Sequence, residues 1–531
     1  MYDLFIKNAT IIDGTGAPRF IGSVACKNGK LSVLSNNAAV EAQKTIDCTG
    51  LYVCPGFIDS HSHGDVPLGR EFASLSKISQ GITTHIAGQC GFSMAPVDPA
   101  KLDLTAQGLA IFTDTLPENM SSFTTFSGYL NYAKSLKLPE NVKFLVGHVM
   151  LRIAAMGFDN RKPTSAEMEH MKSMLREAME NGAMGFSTGL IYIPCAYSDI
   201  DEIVELAKIV KEYGGVYTTH MRNESQDVLK SIKESIEVAR RSGVKLQISH
   251  LKVCGINNWG LSEQMLKLID DANREGLQVT ADQYPYTASM THLNVCIPPK
   301  YFTKGIGGMV EYLKDPAQRA QIRHEIETCD DFENQVRNCN GFDGVFISRA
   351  AKTPAVEGLT IGEYARQHNL DPYDVLFDTL IANQGVATAI YSSMGEDDVF
   401  RIIQNDHVVV GTDGIVKSAE ERAHPRAYGS FPRAIRYFVK EKGVLSLEKM
   451  ISKMTSRSAE AAMIPTKGVI KDGYDADLVI FNYETIKDTA NFLNSNLLAD
   501  GIDYVIVGGE VVYHDKKLTG AKPGRVLLQG Q

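Results

Sequence analysis

Short apolar stretches that end in small or polar residues alternate with helical patterns along most of the chain, and this alternation constrains the fold more than any other feature. In TSAEMEHMKSMLREAMENG and DIDEIVELAKIVKEYGG, for example, apolar residues recur at helical spacing. Strands that alternate with helices are typical of a parallel sheet. The candidate strands number eight: YVCPGFIDSHSH, GITTHIAGQCG, VKFLVGHVM, AMGFSTGL, GVYTTHMR, KLQISHLKV, LQVTADQYPYT and HVVVGTDG. Because eight parallel strands close a barrel, the pattern predicts an α/β fold with a (β/α)8, TIM-like barrel.

The two ends of the chain lack this alternation. Both contain short apolar stretches separated by Gly, Asn and Asp, and a hairpin is predicted at Gly508–Gly509. We therefore predict a small β-sandwich domain assembled from both termini, residues 1–53 and 465–531, and a catalytic barrel over 54–464. The interval at about 295–400 is longer than one crossover helix needs, so we expect it to hold an insertion before the last barrel strand that covers the barrel mouth.

Composition excludes several classes of protein. The net charge of -9 and the pI near 5.9 provide no basic surface for nucleic acid, so no nucleic-acid partner is expected. The N-terminus carries charged residues where a signal peptide needs an apolar core, and no run reaches the roughly 18 to 20 apolar residues of a membrane span. These features favour a cytoplasmic protein. The nine cysteines are scattered, without a CxxC pair, which indicates reduced thiols.

Polar residues suited to catalysis lie at the C-terminal ends of the predicted strands, where barrel enzymes have their active sites. Together they offer nitrogen, sulfur and oxygen donors of the kind that zinc prefers. They are His61, His63, Cys90, His220, His250 and Asp413.

Strand geometry and burial constrain the roles of four of these residues. His61 and His63 occupy alternate positions, so their imidazoles share a face of the strand and one metal can take both. Filling a barrel core with two imidazoles is the alternative, and it would be costly. Cys90 taken alone fits a small buried hydrophobe better than a ligand, but its place in GQCG beside this histidine set favours a ligand. Asp413 follows the β-branched run VVV, so its carboxylate must meet a metal, a cation or a water.

Two motifs, GFIDSHSH and GYDADLVIF, resemble the metal-dependent amidohydrolase superfamily. A longer series narrows the resemblance to the D-aminoacylase and N-acyl-D-amino-acid deacylase family along nearly the whole chain. The series is GQCGFSMAP at 88–96, STGLIYIP at 187–194, THMRNES at 219–225, SHLKVCG and NNWG at 249–260, DQYPYTAS at 282–289, SMGEDDV at 393–399, GTDG at 411–414 and HPRAYGSFPR at 424–433.

The resemblance implies zinc-dependent hydrolysis of the amide bond of N-acyl-D-amino acids, with one or two zinc ions. Many amidohydrolases bridge two metals with a carbamylated lysine on the fourth barrel strand, but AMGFSTGL contains no lysine. The resemblance implies that Cys90 supplies a thiolate ligand or bridge instead and holds the tighter zinc with His220 and His250. His61 and His63 would then serve a second site.

The catalytic role implied for Asp413 is that of general base and acid. Zinc would polarise the scissile carbonyl and lower the pKa of a water, whose proton Asp413 would accept and pass to the departing amine.

Arg426 in HPRAYG resembles the residue that binds the substrate α-carboxylate in this family. Lys252, which lies two residues after His250 and is expected on the same strand face, and Tyr284 are further candidate donors. Tyr192 or His292 would hold the oxyanion. Arg222 is a weaker candidate. For Arg426, Lys252 and Tyr284 the alternative is surface solvation or core packing.

Two other functions are consistent with parts of the sequence: a cyclic amidase of dihydroorotase or hydantoinase type, and a non-catalytic metal-binding scaffold. The missing lysine and the HPR segment count against the first, and the complete ligand set counts against the second. The substrate side chain is expected to be neutral or hydrophobic, as in methionine, leucine or phenylalanine, with an acidic side chain beside Lys252 and Arg222 as the alternative. DAD at 475–477 is expected to form a turn rather than a metal site.

Overall fold

The computed structural model describes residues 1–36, 38–113 and 116–530. Its strands are β1 (Tyr2–Ile11), β2 (Phe20–Lys27), β3 (Lys30–Leu34), β4 (Ala42–Asp47), β5 (Tyr52–Pro55), β6 (Phe57–Asp59), β7 (Ile82–Ala87), β8 (Asn141–Gly147), β9 (Gly185–Gly189), β10 (Val216–His220), β11 (Lys245–Ile248), β12 (Val279–Gln283), β13 (Ser289–His292), β14 (Val345–Arg349), β15 (Thr388–Tyr391), β16 (Val408–Val410), β17 (Leu478–Phe481), β18 (Ile502–Val507), β19 (Glu510–His514), β20 (Lys517–Leu518) and β21 (Val526–Leu527).

Helices separate most of the barrel strands. They are α1 (Glu71–Ile78), α2 (Leu102–Leu109), α3 (Phe126–Ser135), α4 (His148–Met156), α5 (Ser165–Glu180), α6 (Ile200–Glu212), α7 (Val228–Ser242), α8 (Ser262–Arg274), α9 (Gly305–Lys314), α10 (Pro316–Thr328), α11 (Gln335–Asn338), α12 (Ile361–His368), α13 (Pro372–Ala382), α14 (Glu396–Gln404), α15 (Arg426–Arg433), α16 (Leu447–Met454) and α17 (Ser456–Ala461). A π-helical segment, Ala434–Glu441, continues α15. Among the described residues, none of these helices is long and apolar enough to cross a membrane.

Eight parallel strands form the barrel, in the order β6, β7, β8, β9, β10, β11, β12 and β16. All eight predicted barrel strands are thereby confirmed. The segments that follow the first and last strands, β6 and β16, meet each other: Asp413 N donates to His61 O at 2.8 Å. The active-site ends of these two strands therefore lie side by side.

The first predicted barrel strand, YVCPGFIDSHSH, is not continuous, and this prediction was wrong in detail. Gly56 separates β5, which pairs with β17, from β6, which pairs with β7. Gly56 N donates instead to Asp477 O at 2.8 Å. A Cβ at Gly56 would collide with the Thr83 side chain, so glycine permits the close approach at which the chain passes between the two sheets.

Strands from both chain ends form one nine-stranded sheet, in the order β20, β19, β18, β17, β5, β1, β2 and β3, with β4 on β1. The β18–β19 hairpin at Gly508–Gly509 is confirmed. The opening strands are not all antiparallel, because β4 and β5 run parallel to β1. The last strand, β21, pairs with barrel strand β8. The sandwich arrangement and the domain limits at 53 and 465 stay predictions.

An insertion between β12 and β16 contains α9 to α13 and a three-stranded sheet in the order β13, β15 and β14. It has an apolar core of its own. The insertion is attached to the barrel mouth by the loop after β10: Glu224 N donates to Glu333 Oε2 at 2.6 Å, and Gln226 Nε2 donates to Phe332 O at 2.9 Å. These bonds join the insertion to a loop at the barrel mouth, whereas its predicted limits at about 295–400 and its covering of the mouth stay predictions.

The DAD segment joins the terminal sheet to the barrel. Asp477 Oδ2 accepts from Lys467 Nζ at 2.5 Å and from Asn141 Nδ2 of β8 at 3.0 Å, and Asp477 Oδ1 accepts from Gly508 N at 2.8 Å. Asp475 is paired with Lys30 at 2.6 Å. The carboxylates thus have protein partners, in agreement with a structural role.

Candidate active site

The six predicted chemistry-bearing residues converge at the barrel mouth. Donor atoms of His61, Cys90, His250 and Asp413 all lie within 4.8 Å of one another, and all four residues are buried. His220 belongs to an overlapping group with Glu224 and His250. His63 joins through Asp413, whose Oδ1 lies 3.1 Å from His63 Nε2. This compact four-residue group therefore contains His61 and Asp413 beside Cys90 and His250, whereas the resemblance implies Cys90, His220 and His250 for the tighter zinc.

The shared face predicted for the two histidines is reflected in their common contact. Both Nε2 atoms approach Asp413 Oδ1, at 3.5 Å for His61 and 3.1 Å for His63. Strand β6 ends at Asp59, so both histidines lie after the strand. Their common contact shows that the two side chains still point to the same side there. The side chains therefore face the same carboxylate, which follows the last barrel strand, β16.

Distances around the thiol fit a tetrahedral metal. Cys90 Sγ lies 3.3 Å from His61 Nε2 and 3.4 Å from His250 Nε2. Ligands at ordinary Zn–S and Zn–N bond lengths, about 2.3 and 2.0–2.1 Å, lie roughly 3.5 Å apart at a tetrahedral angle. Burial raises the pKa of the Cys90 thiol to about 11, with an opposing effect of His61, so ionisation requires a nearby cation. This donor set fits zinc.

His220 supplies a further argument for a ligand. Both of its ring nitrogens are buried and have no hydrogen-bond partner among the described residues. Burial holds the pKa of His220 well below its usual value, with smaller contributions from nearby groups, so the ring is neutral and a nitrogen lone pair is available. A buried imidazole without partners is costly unless a bound group satisfies it.

Three site residues have left-handed backbone conformations that non-glycine residues rarely adopt. The φ angles are +54° at Cys90, +36° at His250 and +49° at Asp413. Such conformations persist where the surrounding structure enforces them, and they cluster at functional sites. Here they turn the side chains away from the strand direction and towards one another.

Asp282, which sequence reasoning did not single out, orients two candidate ligands. Its Oδ1 lies 3.1 Å from His61 Nδ1 and accepts from His250 N at 2.8 Å. A carboxylate on one ring nitrogen fixes the imidazole and leaves the other nitrogen for a metal. The sequence signal was its position at the end of β12, in the DQYPYTAS motif.

Arg426 controls the charge of Asp413. Arg426 Nη1 lies 2.8 Å from Asp413 Oδ2, and both residues are buried. Burial alone would raise the pKa of Asp413, but Arg426 and the neighbouring histidines hold it well below the usual value. Asp413 is therefore an ionised carboxylate.

Two cations flank the Tyr284 ring, and donors of Tyr284 and Arg426 are unsatisfied. The Arg426 guanidinium lies 4.6 Å and the Lys252 ammonium 5.8 Å from the ring centroid. Tyr284 Oη and Arg426 Nε and Nη1 are buried without a hydrogen-bond acceptor among the described residues; the short Arg426–Asp413 contact lacks hydrogen-bond geometry. These donors are suited to a bound carboxylate.

Lys252 is close to the site but is already neutralised. Its ammonium donates to both Glu224 oxygens at 2.7 Å and lies 2.6 Å from His250 Nδ1. We expected it to share a strand face with His250, but β11 ends at Ile248. The contact therefore arises in the loop beyond the strand.

The other candidates lie further from the compact group. Tyr192 packs edge-on against His220, with 5.0 Å between ring centroids, and its hydroxyl lies 3.1 Å from Thr291 Oγ1. His292 lines the adjoining cavity instead, and burial lowers its pKa to about 3. Arg222 is bonded to Glu234 and does not line either cavity.

Two adjoining cavities open at the barrel mouth. The first is lined by Asp413, Lys252 and the candidate ligands other than His61, namely His63, Cys90, His220 and His250. The second lies between barrel and insertion and has mainly apolar walls, including Phe158, Phe302 and Ile306. Their shared lining residues are Phe92, Ile191, Tyr192 and Glu333. Glu333 was not predicted, because no local pattern within the insertion indicates which of its carboxylates faces the barrel.

Comparison with known proteins places these observations in a family. Residues 44–513 match the model of an amidohydrolase family. The chain is 32% identical to the D-aminoacylase of Alcaligenes xylosoxydans xylosoxydans, over 99% of this chain and 98% of that protein. It is also 32% identical to N-acyl-D-aspartate deacylase from the same organism, over 99% and 95% of the two chains.

A solved structure supports the same relationship. It is N-acyl-D-glutamate deacylase from Bordetella bronchiseptica, complexed with zinc and a phosphonate inhibitor that mimics the tetrahedral intermediate. The TM-score is 0.82 at 32% identity, with 99% of each chain covered. The family match and the full-length similarity agree with the motifs and the barrel-mouth geometry: this chain belongs to the amidohydrolase family.

Proposed function

We propose that this protein is a zinc-dependent deacylase that hydrolyses the amide bond of N-acyl-D-amino acids, releasing a D-amino acid and a carboxylate. The carrying observation is the juxtaposition of a zinc-type donor group with Asp413 and with the unsatisfied donors of Arg426 and Tyr284. The zinc-type donor group beside Asp413 suits hydrolysis, and the donors of Arg426 and Tyr284 suit a substrate that carries a carboxylate.

Cys90, His220 and His250 would hold one zinc ion, and His61 and His63 would serve a second. Zinc bound there supplies a Lewis acid that polarises the scissile carbonyl and lowers the pKa of a water. His250 belongs to both overlapping donor groups, that of His61, Cys90 and Asp413 and that of His220 and Glu224. Whether the site would hold one zinc ion or two depends on which group His250 serves.

The protein's own groups move the proton. Asp413, kept ionised by Arg426, accepts the proton of the attacking water through Oδ1, the oxygen that faces His61 and His63. Once protonated, it returns the proton to the leaving amine nitrogen. Tyr192, beside His220, is the candidate donor to the developing oxyanion, whereas His292, the last residue of β13, lines only the adjoining cavity and is less well placed.

Recognition of the substrate would depend on Arg426, supported by Tyr284. Lys252 contributes mainly by fixing Glu224 and His250. With the carboxylate on Arg426 and the acyl carbonyl at the metal, two points of the substrate are fixed. Only one enantiomer can then direct its side chain into the remaining space, and the family resemblance favours D.

Two alternatives are less well supported. A cyclic amidase would open a ring with similar metal chemistry, but β9 contains no lysine to bridge two metals. A non-catalytic scaffold would not need Asp413 as an ionised carboxylate beside the donor group. The absence of nucleic-acid partners and the cytoplasmic location stay predictions.

A hydrolysis screen tests the reaction class and its stereochemistry. N-Acetyl-D-methionine and N-acetyl-D-leucine should be hydrolysed, and their L-enantiomers should react at least roughly 100-fold more slowly, because the wrong enantiomer drives its side chain into the wall. Hydantoin and dihydroorotate should not react. Equal kcat/KM for the two enantiomers, or faster ring opening, would contradict the proposal.

Replacing Asp413 by Asn tests the general base. Asp413→Asn retains shape but cannot accept the water proton, so kcat should fall about 10^2- to 10^4-fold while most of the zinc is retained. Steady-state kinetics and metal analysis on the same preparation separate the two effects. A near-normal rate would refute the role of Asp413.

Replacing Arg426 by Ala tests the carboxylate contact. Loss of charge-assisted hydrogen bonds should lower kcat/KM for N-acetyl-D-methionine by roughly 10^2 to 10^3, without loss of zinc. Arg422→Ala is the matched control, because Arg422 bonds to Leu493 O at 3.3 Å, whereas Arg426 lies beside Asp413 and Tyr284. Unaltered kinetics in Arg426→Ala would rule out this contact.

A further inference from the structure

Glu333 is the insertion's carboxylate at the junction of the two cavities. It lines both of them and is only 6% exposed. Any group that passes from the metal-binding cavity into the apolar cavity must pass near this side chain. Its charge therefore bears on which substrates can bind.

Unlike the other carboxylates that line the metal-binding cavity, Glu333 has no cationic partner in the described part of the chain. Asp413 is paired with Arg426 and Glu224 with Lys252, at 2.8 and 2.7 Å. Glu333 accepts only from neutral donors, Glu224 N at 2.6 Å and Gln335 Nε2 at 2.7 Å. The pKa of Glu333 is raised to about 7, mainly by burial and secondly by the nearby Glu224 carboxylate. A second anion beside it would be unfavourable.

The described lining of the two cavities offers no free cation that could offset such repulsion. Among the described residues that line them, Lys252 is the one Lys or Arg, and both Glu224 oxygens already bind it. Arg426 would be occupied by the α-carboxylate under the proposed function. A carboxylate on the substrate side chain would consequently meet Glu333 and apolar walls without compensation.

We propose that Glu333 is a specificity-determining residue that excludes acidic D-amino-acid side chains, so that the substrates are N-acyl-D-amino acids with uncharged side chains. This inference rests on the proposed deacylase function and adds the substrate class. It assigns the selection to repulsion by one carboxylate rather than to the size of the cavity.

N-Acetyl-D-glutamine and N-acetyl-D-glutamate test this charge effect, because they differ in charge but hardly in shape. The full-length, zinc-loaded enzyme is assayed at pH 8, above the pKa of about 7 of Glu333. We expect kcat/KM to favour the glutamine derivative by about 100-fold or more. Glu333→Gln should lower that ratio by about 10-fold or more.

Glu325→Gln is the matched control. It makes the same change at a buried carboxylate of the insertion that pairs with Lys300 at 2.7 Å and lines neither cavity. It should leave the ratio unchanged. Glu333→Ala, which also removes the charge, should lower the ratio as Glu333→Gln does and serves if the Gln variant does not fold.

A wild-type ratio near one, or an unchanged ratio in both Glu333 variants, would overturn the role of Glu333. If N-acetyl-D-leucine is hydrolysed in the same assay, that failure concerns Glu333 alone. If no N-acetyl-D-amino acid is hydrolysed, the proposed function fails and the substrate class falls with it.

Discussion

Asp59 joins the first and last barrel strands, and the geometry of the site depends on this carboxylate. Its Oδ1 accepts from Thr412 N at 2.8 Å and from His61 N at 3.3 Å, and its Oδ2 accepts from Thr412 Oγ1 at 2.7 Å and from Lys77 Nζ at 2.9 Å. These bonds fix the backbone on which His61 and Asp413 are placed. A fully buried carboxylate is tolerated here because a cation and several donors satisfy it.

The residues that surround the candidate ligands and Asp413 balance one another's buried charges. Asp282 orients His61 and His250, Arg426 keeps Asp413 ionised, and Lys252 is held by Glu224. Each arrangement leaves a reactive atom facing the centre while its other side is bonded. The His220 ring, which has no hydrogen-bond partner among the described residues, and the Cys90 thiol remain, and a bound metal cation would satisfy both.

The barrel and its mouth were predictable because the signals are local. Apolar periodicity located all eight strands, and the position after each strand located the candidate ligands. The absence of a lysine from β9 could also be predicted from the sequence. By contrast, the break at Gly56 depends on contacts with Thr83 and Asp477 that lie far away in the sequence.

The residues that sequence reasoning missed act through partners distant in the chain. Asp282 meets His61, and Glu333 meets the Glu224 backbone, only after the barrel has closed and the insertion has packed. The same limit applies to Lys252, whose nearness to His250 was predicted from strand alternation but arises in a loop. Periodicity gives the direction of a side chain, whereas its partner is a property of the tertiary structure.

Metal analysis of Cys90→Ala most directly tests the central claim that Cys90 and the histidines hold zinc beside Asp413. Active wild-type protein should contain one or two zinc ions per chain, and Cys90→Ala should lose both zinc and turnover of N-acetyl-D-methionine. Cys296→Ala, which changes a buried cysteine in the insertion core, should keep both. Full activity with less than roughly half an equivalent of divalent metal, or a Cys90→Ala variant with wild-type zinc content, would contradict the account.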